Sequence, residues 1–352
     1  MSNSPYQQCA IGPRLWKSGG VRCNLIRNES GDLTNGSQAR YALTFGEVHT
    51  GLLQNSTALP SEQVTALLDR VVGERVRSHE RPIPYAVAPD RLTGVDCGLP
   101  SATRRETRAV GTVVGHVAVT GGHIVQGSAF TEVNSVRGQR QAWSHYLARP
   151  GSLEAIGKMD PADVADGFLT GPRAATTLEV GAIGSRLMDE IQVSPQLDRE
   201  PPFRSRRTVL RWAVLPTGSG PNSATFTIES KTARTLMVRY DERRTDDLVG
   251  LCEDLALHDW LLTTLVSLLD RNTGAPGTRV QRVKRLDPAV DCLLHLWMPA
   301  ARVDADLLPL WQTLDHRSGF SRQWHASVDR IRDQLTLSTM TLLEAARQAG
   351  RS

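Results

Sequence analysis

The sequence lacks the short motifs that mark the common catalytic and cofactor-binding sites. It contains no G-x-S-x-G nucleophile elbow, no G-x-x-x-x-G-K-[ST] phosphate loop and no G-x-G-x-x-G dinucleotide fingerprint. Its nine histidines include no H-E-x-x-H or H-x-x-x-H pair, which are spacings that place two metal ligands on one helix face. We therefore expect no bound cofactor and no metal centre, and the sequence favours a protein that is not an enzyme.

Paired cysteines and long apolar runs are absent as well. The five cysteines are odd in number, scattered between residues 9 and 292, and include no C-x-x-C pair. This pattern excludes a disulfide framework and fits no zinc site. The longest apolar stretch, residues 255–269, is interrupted by His258 and Asp259 and is too short and polar to cross a bilayer. We expect a cytoplasmic protein without a membrane span.

Lysine is scarce, since only four of the 41 basic residues are lysines. Such a skew is typical of a GC-rich genome such as that of an actinobacterium. Residues 1–240 carry 27 basic and 21 acidic side chains, whereas residues 241–352 carry 14 and 16. A dedicated nucleic-acid binder has a denser basic stripe than this, so the overall charge does not predict one.

The 352 residues, 40% of them apolar, are enough for a sizeable core. Residues 1–40 are polar with few apolar anchors, which predicts a flexible tail. Residues 41–240 contain several runs rich in β-branched residues, and two of these flank Gly121-Gly122, which indicates a hairpin. Residues 241–352 show apolar residues at helical spacing. The predicted fold is α+β: a mixed, mainly antiparallel β-containing domain over residues 41–240, followed by an all-helical domain.

The first C-terminal helix carries an unusual set of charged residues. Asp254 and His258 lie one helical turn apart, and Asp259 falls close to the leucine stripe, where a charge is costly unless it is paired. One interpretation is a buried acid–histidine relay that faces a pocket, with His258 as the proton carrier. The alternative is that Asp259 pairs with an arginine on a neighbouring helix and stabilises their packing.

Cys97 and two hairpin histidines are further weak candidates. We expect Cys97 to lie in a loop, where it is either a small residue in a turn or a thiolate activated by nearby arginines. His116 and His123 flank the predicted hairpin and could form a metal site with Glu132 on the second strand. Because nothing in the sequence fixes that register, we predict instead that the two histidines face solvent across the strands.

Arginines and tryptophans supply the candidate interaction residues. An arginine-rich segment holds phosphates and stacks bases in some nucleic-acid-binding proteins, but it is more often a solvated or protein-facing surface. Four of the seven tryptophans lie in the last 100 residues, and one or two of them are expected to anchor a partner. The candidates are Arg204, Arg206, Arg207, Arg211, Trp212, Trp311 and Trp324.

Several segments resemble a family of actinobacterial conserved proteins of unknown function, typical of streptomycetes and their relatives. These segments are residues 43–56, 90–96, 251–262, 293–299 and 320–324, and the resemblance extends over roughly residues 41–345. It implies a component of a multi-protein system that is encoded beside a variant P-loop protein. The family has no agreed catalytic residues, so the resemblance assigns none here.

Three hypotheses follow from the sequence. The first is a non-enzymatic interaction or scaffold subunit of a bacterial multi-protein system, with protein partners that include a P-loop protein encoded nearby. The second is a hydrolase or another small-molecule enzyme that uses His258, Asp259 and Asp254, or Cys97. The third is nucleic-acid binding through the segment from Arg204 to Arg211.

Overall fold

The structure of the chain is a computed structural model that describes residues 43–136, 139–171, 175–217, 221–240, 245–273 and 278–349. The predicted tail, residues 1–40, lies outside these ranges. Within them the chain forms ten strands, nine α-helices and two 3₁₀ turns, Leu294–Leu296 and Ala305–Leu307. The strands precede the long helices in the sequence, which confirms the predicted fold class.

The strands belong to one mixed sheet. Along the sheet their order is β2-β3-β5-β7-β6-β1-β8-β10-β9, and β4 also pairs with β5. The β6–β7 and β8–β10 pairs are parallel, and the other eight pairs are antiparallel. The strands are β1 (Leu43–Leu52), β2 (Arg77–His79), β3 (Tyr85–Val87), β4 (Arg91–Gly98), β5 (Arg108–Thr120), β6 (Ile124–Val136), β7 (Ser152–Ile156), β8 (Thr208–Leu215), β9 (Ser223–Ile228) and β10 (Ala233–Arg239).

The helices divide into short ones between the strands and longer ones after the sheet. The helical stretches predicted after residue 241 are confirmed, and α5 is 29 residues long and α9 is 30. None of the helices in the described ranges is long and apolar enough to cross a membrane. The helices are α1 (Ser61–Leu68), α2 (Trp143–Leu147), α3 (Pro161–Thr170), α4 (Val180–Gln192), α5 (Thr245–Thr273), α6 (Arg279–Lys284), α7 (Asp287–Leu293), α8 (Leu308–Ser318) and α9 (Phe320–Ala349).

The predicted hairpin is the joint between β5 and β6. Its turn places Gly121 and Gly122 at φ values of 59° and 65°, in the left-handed region that glycine adopts most easily. A Cβ atom on Gly122 would also lie 2.2 Å from the carbonyl oxygen of Leu59. The turn therefore fixes the register in which Thr120 pairs with Ile124 and His116 pairs with Ser128.

The register sorts the side chains of the central strands by residue number. On β1, Leu43 and Phe45 pack with α3 on one face of the sheet, whereas Val48 and Leu52 pack with α5 on the other. Even-numbered residues pair with even-numbered residues across β5, β6, β1, β8 and β10. Even-numbered side chains of all five strands therefore face α5, and this positions the polar residues His116, Gln126, Ser128 and Arg234 described below.

Helix α5 is buried between the sheet and the helices that follow it. Its leucines share a hydrophobic cluster with Val48 and Trp212 from the sheet and with Trp311, Trp324 and Ile331 from α8 and α9. Core side chains therefore come from both sides of the predicted boundary at residue 240. That boundary borders residues 241–244, which lie outside the described ranges, and the division into two domains stays a prediction.

Candidate functional site

Three acidic side chains of α5 are buried: Glu253, Asp254 and Asp259. A buried carboxylate needs charged or hydrogen-bonding partners, because burial without them costs several kcal/mol. Each of the three has such partners, and those partners come from different parts of the chain. The partners of Glu253 form the most extensive network and border a cavity, so this network is the candidate functional site.

Glu253 accepts hydrogen bonds from three side chains. One carboxylate oxygen, Oε1, lies 2.6 Å from Nε2 of His116 and 2.5 Å from Oγ of Ser128, which is the residue paired with His116 across the hairpin. The other oxygen accepts a hydrogen bond from the guanidinium of Arg302, in the loop before α8. Strand β5, strand β6, helix α5 and this loop therefore meet at one carboxylate.

His116 lies between two carboxylates, because its Nδ1 is 3.1 Å from Oδ1 of Asp90. Burial alone disfavours the imidazolium, but the charge of Glu253 and the hydrogen bonds to Asp90 and Glu253 raise the pKa of His116 to about 9. Burial likewise opposes ionisation of Glu253, yet Arg302 and His116 lower the pKa of Glu253 to about 2. At neutral pH both ring N–H groups donate, so neither nitrogen is free to accept a proton from a substrate.

Arg302 links this pair to the rest of the sheet. Its Nη1 donates to Oε1 of Gln126 at 2.8 Å, and its guanidinium lies 4.8 Å from the ring centre of Tyr85. The Nε2 of Gln126 in turn donates to the backbone carbonyl of Glu253 at 2.9 Å. Arg302 is therefore held through charge, hydrogen bonding and ring contact at once.

A cavity of about 190 Å³ opens beside this network. Its wall includes buried Glu253 and Arg302 together with groups that solvent reaches, such as the side chain of Arg77, which is more than half exposed. The ring of His79 stacks on Tyr85 at 4.5 Å. Charges of both signs line the cavity, which suits a small polar molecule better than an apolar one.

Asp254 and His258 form a second group on the next part of α5. Asp254 accepts hydrogen bonds from Nε1 of Trp311 at 2.8 Å and from the backbone N–H groups of Ala300 and Arg302. Burial opposes its ionisation, but His258, the backbone N–H of Ala300 and the charge of Arg302 lower the pKa of Asp254. The predicted spacing of one turn does bring the Asp254 and His258 side chains together, at 3.3 Å.

His258 is enclosed by aromatic rings. Its ring centre lies 5.0 Å from that of Trp297 and 5.9 Å from that of Trp311, and Trp297 stacks on Trp324 at 4.2 Å. Nδ1 lies 2.7 Å from the backbone carbonyl oxygen of Asp254, so Nδ1 carries a proton and donates it. With no exposed surface, His258 cannot meet a substrate from solvent in this structure.

Asp259 pairs with an arginine, as one of the two predicted alternatives requires. Its Oδ1 lies 2.9 Å from Nε of Arg234, which also donates to Thr263 and to the backbone of Ser230. Burial is the larger influence and raises the pKa of Asp259, although Arg234 opposes the rise. The expectation that the arginine lies on a helix is wrong: it lies on β10, because the even-numbered register turns residue 234 toward α5.

The four predicted arginines differ in exposure and in partners. Arg207 donates to Asp189 at 2.6 Å, and Arg211 forms an ion pair of 3.3 Å with buried Glu47. Arg204 and Arg206 are exposed, and their backbone carbonyls accept hydrogen bonds from Arg271 and Trp260. Two of the four arginines are therefore engaged within the protein.

The three predicted tryptophans are in the core. Trp212 lies on the α5 face of the sheet, whereas Arg211, the preceding residue, points to the opposite face toward α3. Trp311 donates to Asp254, and Trp324 stacks on Trp297. All three are almost fully buried, so none of them is available to a partner in this structure.

Two placements inferred from the sequence are wrong. Cys97 lies in strand β4, paired with Ala109 of β5, rather than in a loop. His116 and His123 are buried rather than facing solvent, because α5 covers the face to which His116 points. Within the ranges that the structure describes, no three His, Cys, Asp or Glu side chains are arranged to hold a metal ion.

Sequence reasoning did not find Asp90 or Arg302, and it singled out the Glu253-Asp254 pair without assigning a role to Glu253. The hairpin register could have placed His116 beside Ser128, since the Gly121-Gly122 turn fixes it. No sequence signal connects either residue to Arg302, which is 174 positions further along the chain than Ser128. Comparisons with protein-family models, with curated proteins and with solved structures gave no match to this chain.

We predict that Arg302→Met destabilises the protein by about 3–5 kcal/mol, because Glu253 then loses a buried partner of opposite charge. The free energy of unfolding in urea measures this. Arg332→Met is the control, since the Arg332–Asp329 pair is exposed on α9 and should contribute less than about 1 kcal/mol. Equal effects of the two substitutions would contradict the importance of the buried network.

The stability of the protein should also depend on pH. Because the pKa of His116 is raised in the folded protein, protonation of His116 contributes fully to stability below its ordinary pKa of 6.5. This contribution is lost progressively as the pH rises to about 9. Ionised Glu253 contributes to stability above its ordinary pKa of 4.5, and this contribution is lost as the pH falls toward 2. We expect the highest free energy of unfolding between about pH 5 and 6.5, with a loss on the order of 2–3 kcal/mol by pH 9.

Urea unfolding at a series of pH values tests this expectation, and His116→Gln is the matched variant. The substitution should lower stability at pH 6 and flatten the decline between pH 6.5 and 9. A wild-type protein whose stability does not change over that interval would show that His116 is not held as an imidazolium.

Proposed function

We propose that this chain is a non-enzymatic interaction subunit of a bacterial multi-protein system, and that one side of α9 within residues 334–349, the side that carries Leu337, Met340 and Leu343, is its docking element. One observation carries the proposal. Within seven residues this side of α9 exposes these three large apolar side chains, each between 46% and 56% exposed. Monomeric proteins rarely expose such a group together, and interfaces commonly do.

The placement of the charged residues supports the same proposal. The three buried acidic side chains of α5 are used inside the fold, where they join the sheet, the helix and the loop around Arg302. Trp311 and Trp324, which the sequence suggested as anchors, are buried, so the exposed residues of α9 replace them in the proposal. Nucleic-acid binding is the weaker alternative, since Arg207 and Arg211 are already paired with acids.

We also propose the cellular setting that the sequence suggests. The Arg-rich composition and the resemblance to actinobacterial proteins support a cytoplasmic protein from such a bacterium. A P-loop protein encoded nearby is the first partner to test. An apolar helix face can form the central part of a stable interface, because the buried centre of an interface is more apolar than its rim.

The docking element can be tested by affinity capture from the host with two matched variants. Met340→Lys and Leu342→Lys place the same charge at sites of nearly equal exposure, 54% and 53%, on opposite sides of α9. Leu342 lies on the same side of α9 as Ser338, which is buried, whereas Met340 lies on the opposite side. We expect Met340→Lys to reduce the captured partner at least about tenfold and Leu342→Lys to retain it.

Quantitative mass spectrometry of the captured proteins, with a purified candidate partner added back, provides the measurement. A partner that binds wild type and Leu342→Lys but not Met340→Lys supports the proposal. If all three forms capture the same proteins in the same amounts, this side of α9 is not the docking element.

A second candidate function is a small-molecule site, and the cavity of about 190 Å³ favours it. This cavity lies beside Glu253. The catalytic candidates suggested by the sequence, His258 and Asp259, lie more than one helical turn further along α5. The Asp90 carboxylate at the edge of the cavity is half exposed and accepts a hydrogen bond from His116. Burial opposes ionisation of Asp90, but this hydrogen bond lowers the pKa of Asp90. A small polar ligand, or a hydrolytic substrate, is the expected occupant.

Thermal unfolding in the presence of a panel of polar metabolites and ester substrates tests this second function. A true ligand should raise the Tm of the wild type, and the rise should keep growing with the logarithm of the ligand concentration above the Kd. Arg77→Ala should remove that rise without lowering the Tm of the free protein, because the Arg77 side chain is exposed and only weakly paired. A rise that Arg77→Ala leaves unchanged would place the ligand elsewhere.

A further inference from the structure

The exposed side of α9 contains a regular set of residues. Successive residues of an α-helix are 100° apart, so Asp333, Thr336, Leu337, Leu343, Glu344 and Arg347 all lie within about 60° of Met340. We call these seven residues the outer face of α9. All seven are exposed, and the opposite side of the helix contains buried Ser338 and Ile331. From Asp333 to Arg347 this face is about 21 Å long, at 1.5 Å per residue.

The outer face is complementary to itself. Leu337 and Leu343 lie three residues on either side of Met340, and Asp333 and Arg347 lie seven residues on either side. A twofold axis through Met340 that makes two such helices antiparallel therefore places each leucine opposite the other leucine of the second copy. The same axis places each Asp333 opposite an Arg347.

We propose that the outer face of α9 binds a second copy of this chain, as an antiparallel helix pair around a twofold axis at Met340. The proposal rests on the proposed interaction function and names its partner. Twofold pairs bury the same surface on both copies, and this surface contains Met340 and two leucines near its centre, Glu344 beside them and one charge of each sign at its ends. Each of the two Asp333–Arg347 pairs joins opposite charges across the interface.

Other occupants fit the outer face less well. A parallel pair of these helices would place Asp333 against Asp333 and Arg347 against Arg347, and like charges at an interface are unfavourable. Residues 334–343 carry no charge, so a strongly charged partner such as nucleic acid would find only amide, hydroxyl and apolar groups there. In the antiparallel pair, the remaining charge, Glu344, lies opposite the hydroxyl group of Thr336.

The first experiment measures the mass of the purified full-length protein by sedimentation over a dilution series. About four helical turns from each copy make a small interface, so we expect a dimer that dissociates on dilution. Met340→Lys should shift the midpoint of dissociation at least about tenfold toward monomer, because it places two charges at the centre of the pair. Leu342→Lys should leave the midpoint within about twofold, since Leu342 lies outside the outer face.

Charge reversal distinguishes a second copy from any other partner. Asp333→Arg alone and Arg347→Asp alone should each weaken self-association about tenfold or more, because both attractive pairs become repulsive. The double variant Asp333→Arg with Arg347→Asp restores two attractive pairs and should return to within about threefold of the wild type. Mixing the two single variants should also give a heterodimer, in which each Arg faces an Asp.

The outcomes separate this inference from the proposed function. A wild type that stays monomeric at every concentration overturns the second copy as occupant, and so does a double variant no better than the single ones. If Met340→Lys nevertheless loses a captured partner that Leu342→Lys retains, the interaction function stands with a different occupant. If neither assay distinguishes Met340→Lys from Leu342→Lys, both proposals fail.

Discussion

The buried carboxylate of Glu253 is the interaction on which the arrangement of this fold depends. A charge inside a protein is tolerated only when its partners are fixed around it, and here Arg302, His116 and Ser128 supply them. These partners belong to the two strands of the β5–β6 hairpin and to a loop that is far from that hairpin in the chain. The same helix repeats the arrangement with Asp254 and Asp259, so α5 is held to the sheet and to the later helices by oriented charges as well as by leucines. Hydrophobic contacts alone would allow a buried helix to rotate or slide, whereas three carboxylates with separate partners allow one position.

Because these buried charged groups are engaged with one another, the geometry around α5 weakens the enzymatic interpretation. A catalytic base needs a free lone pair within reach of a substrate. His116 donates from both nitrogens at neutral pH, and His258 is sealed among aromatic rings. The exposed apolar residues of α9 contrast with this, because they are about half exposed and belong to none of the described core clusters.

Much of the fold could be predicted from the sequence because its patterns are local. The Gly121-Gly122 turn, the alternation of β8 to β10 and the leucine spacing of α5 each depend on neighbouring residues. The site could not be predicted in the same way. Asp259 was expected to need an arginine, but a sequence cannot show that β10 pairs parallel to β8 and turns Arg234 inward. Trp311 and Trp324 mark a region rich in tryptophan without showing which surface is buried. Cys97 stands near Gly94 and Gly98, which favour a turn in the sequence although both lie in β4.

The short strand β7 has a consequence for how the sheet is completed. It lies between the outer ends of β5 and β6, antiparallel to the first and parallel to the second, so the two hairpin strands pair directly only from Val114 and Phe130 toward the turn. During synthesis the hairpin can close near its turn as soon as residue 130 has emerged from the ribosome. Its open end must wait for residues 152–156, which arrive after a further helix. Until then the backbone groups of residues 108–111 have no ladder partner on that side, and the growing chain presents an unpaired strand edge at this point.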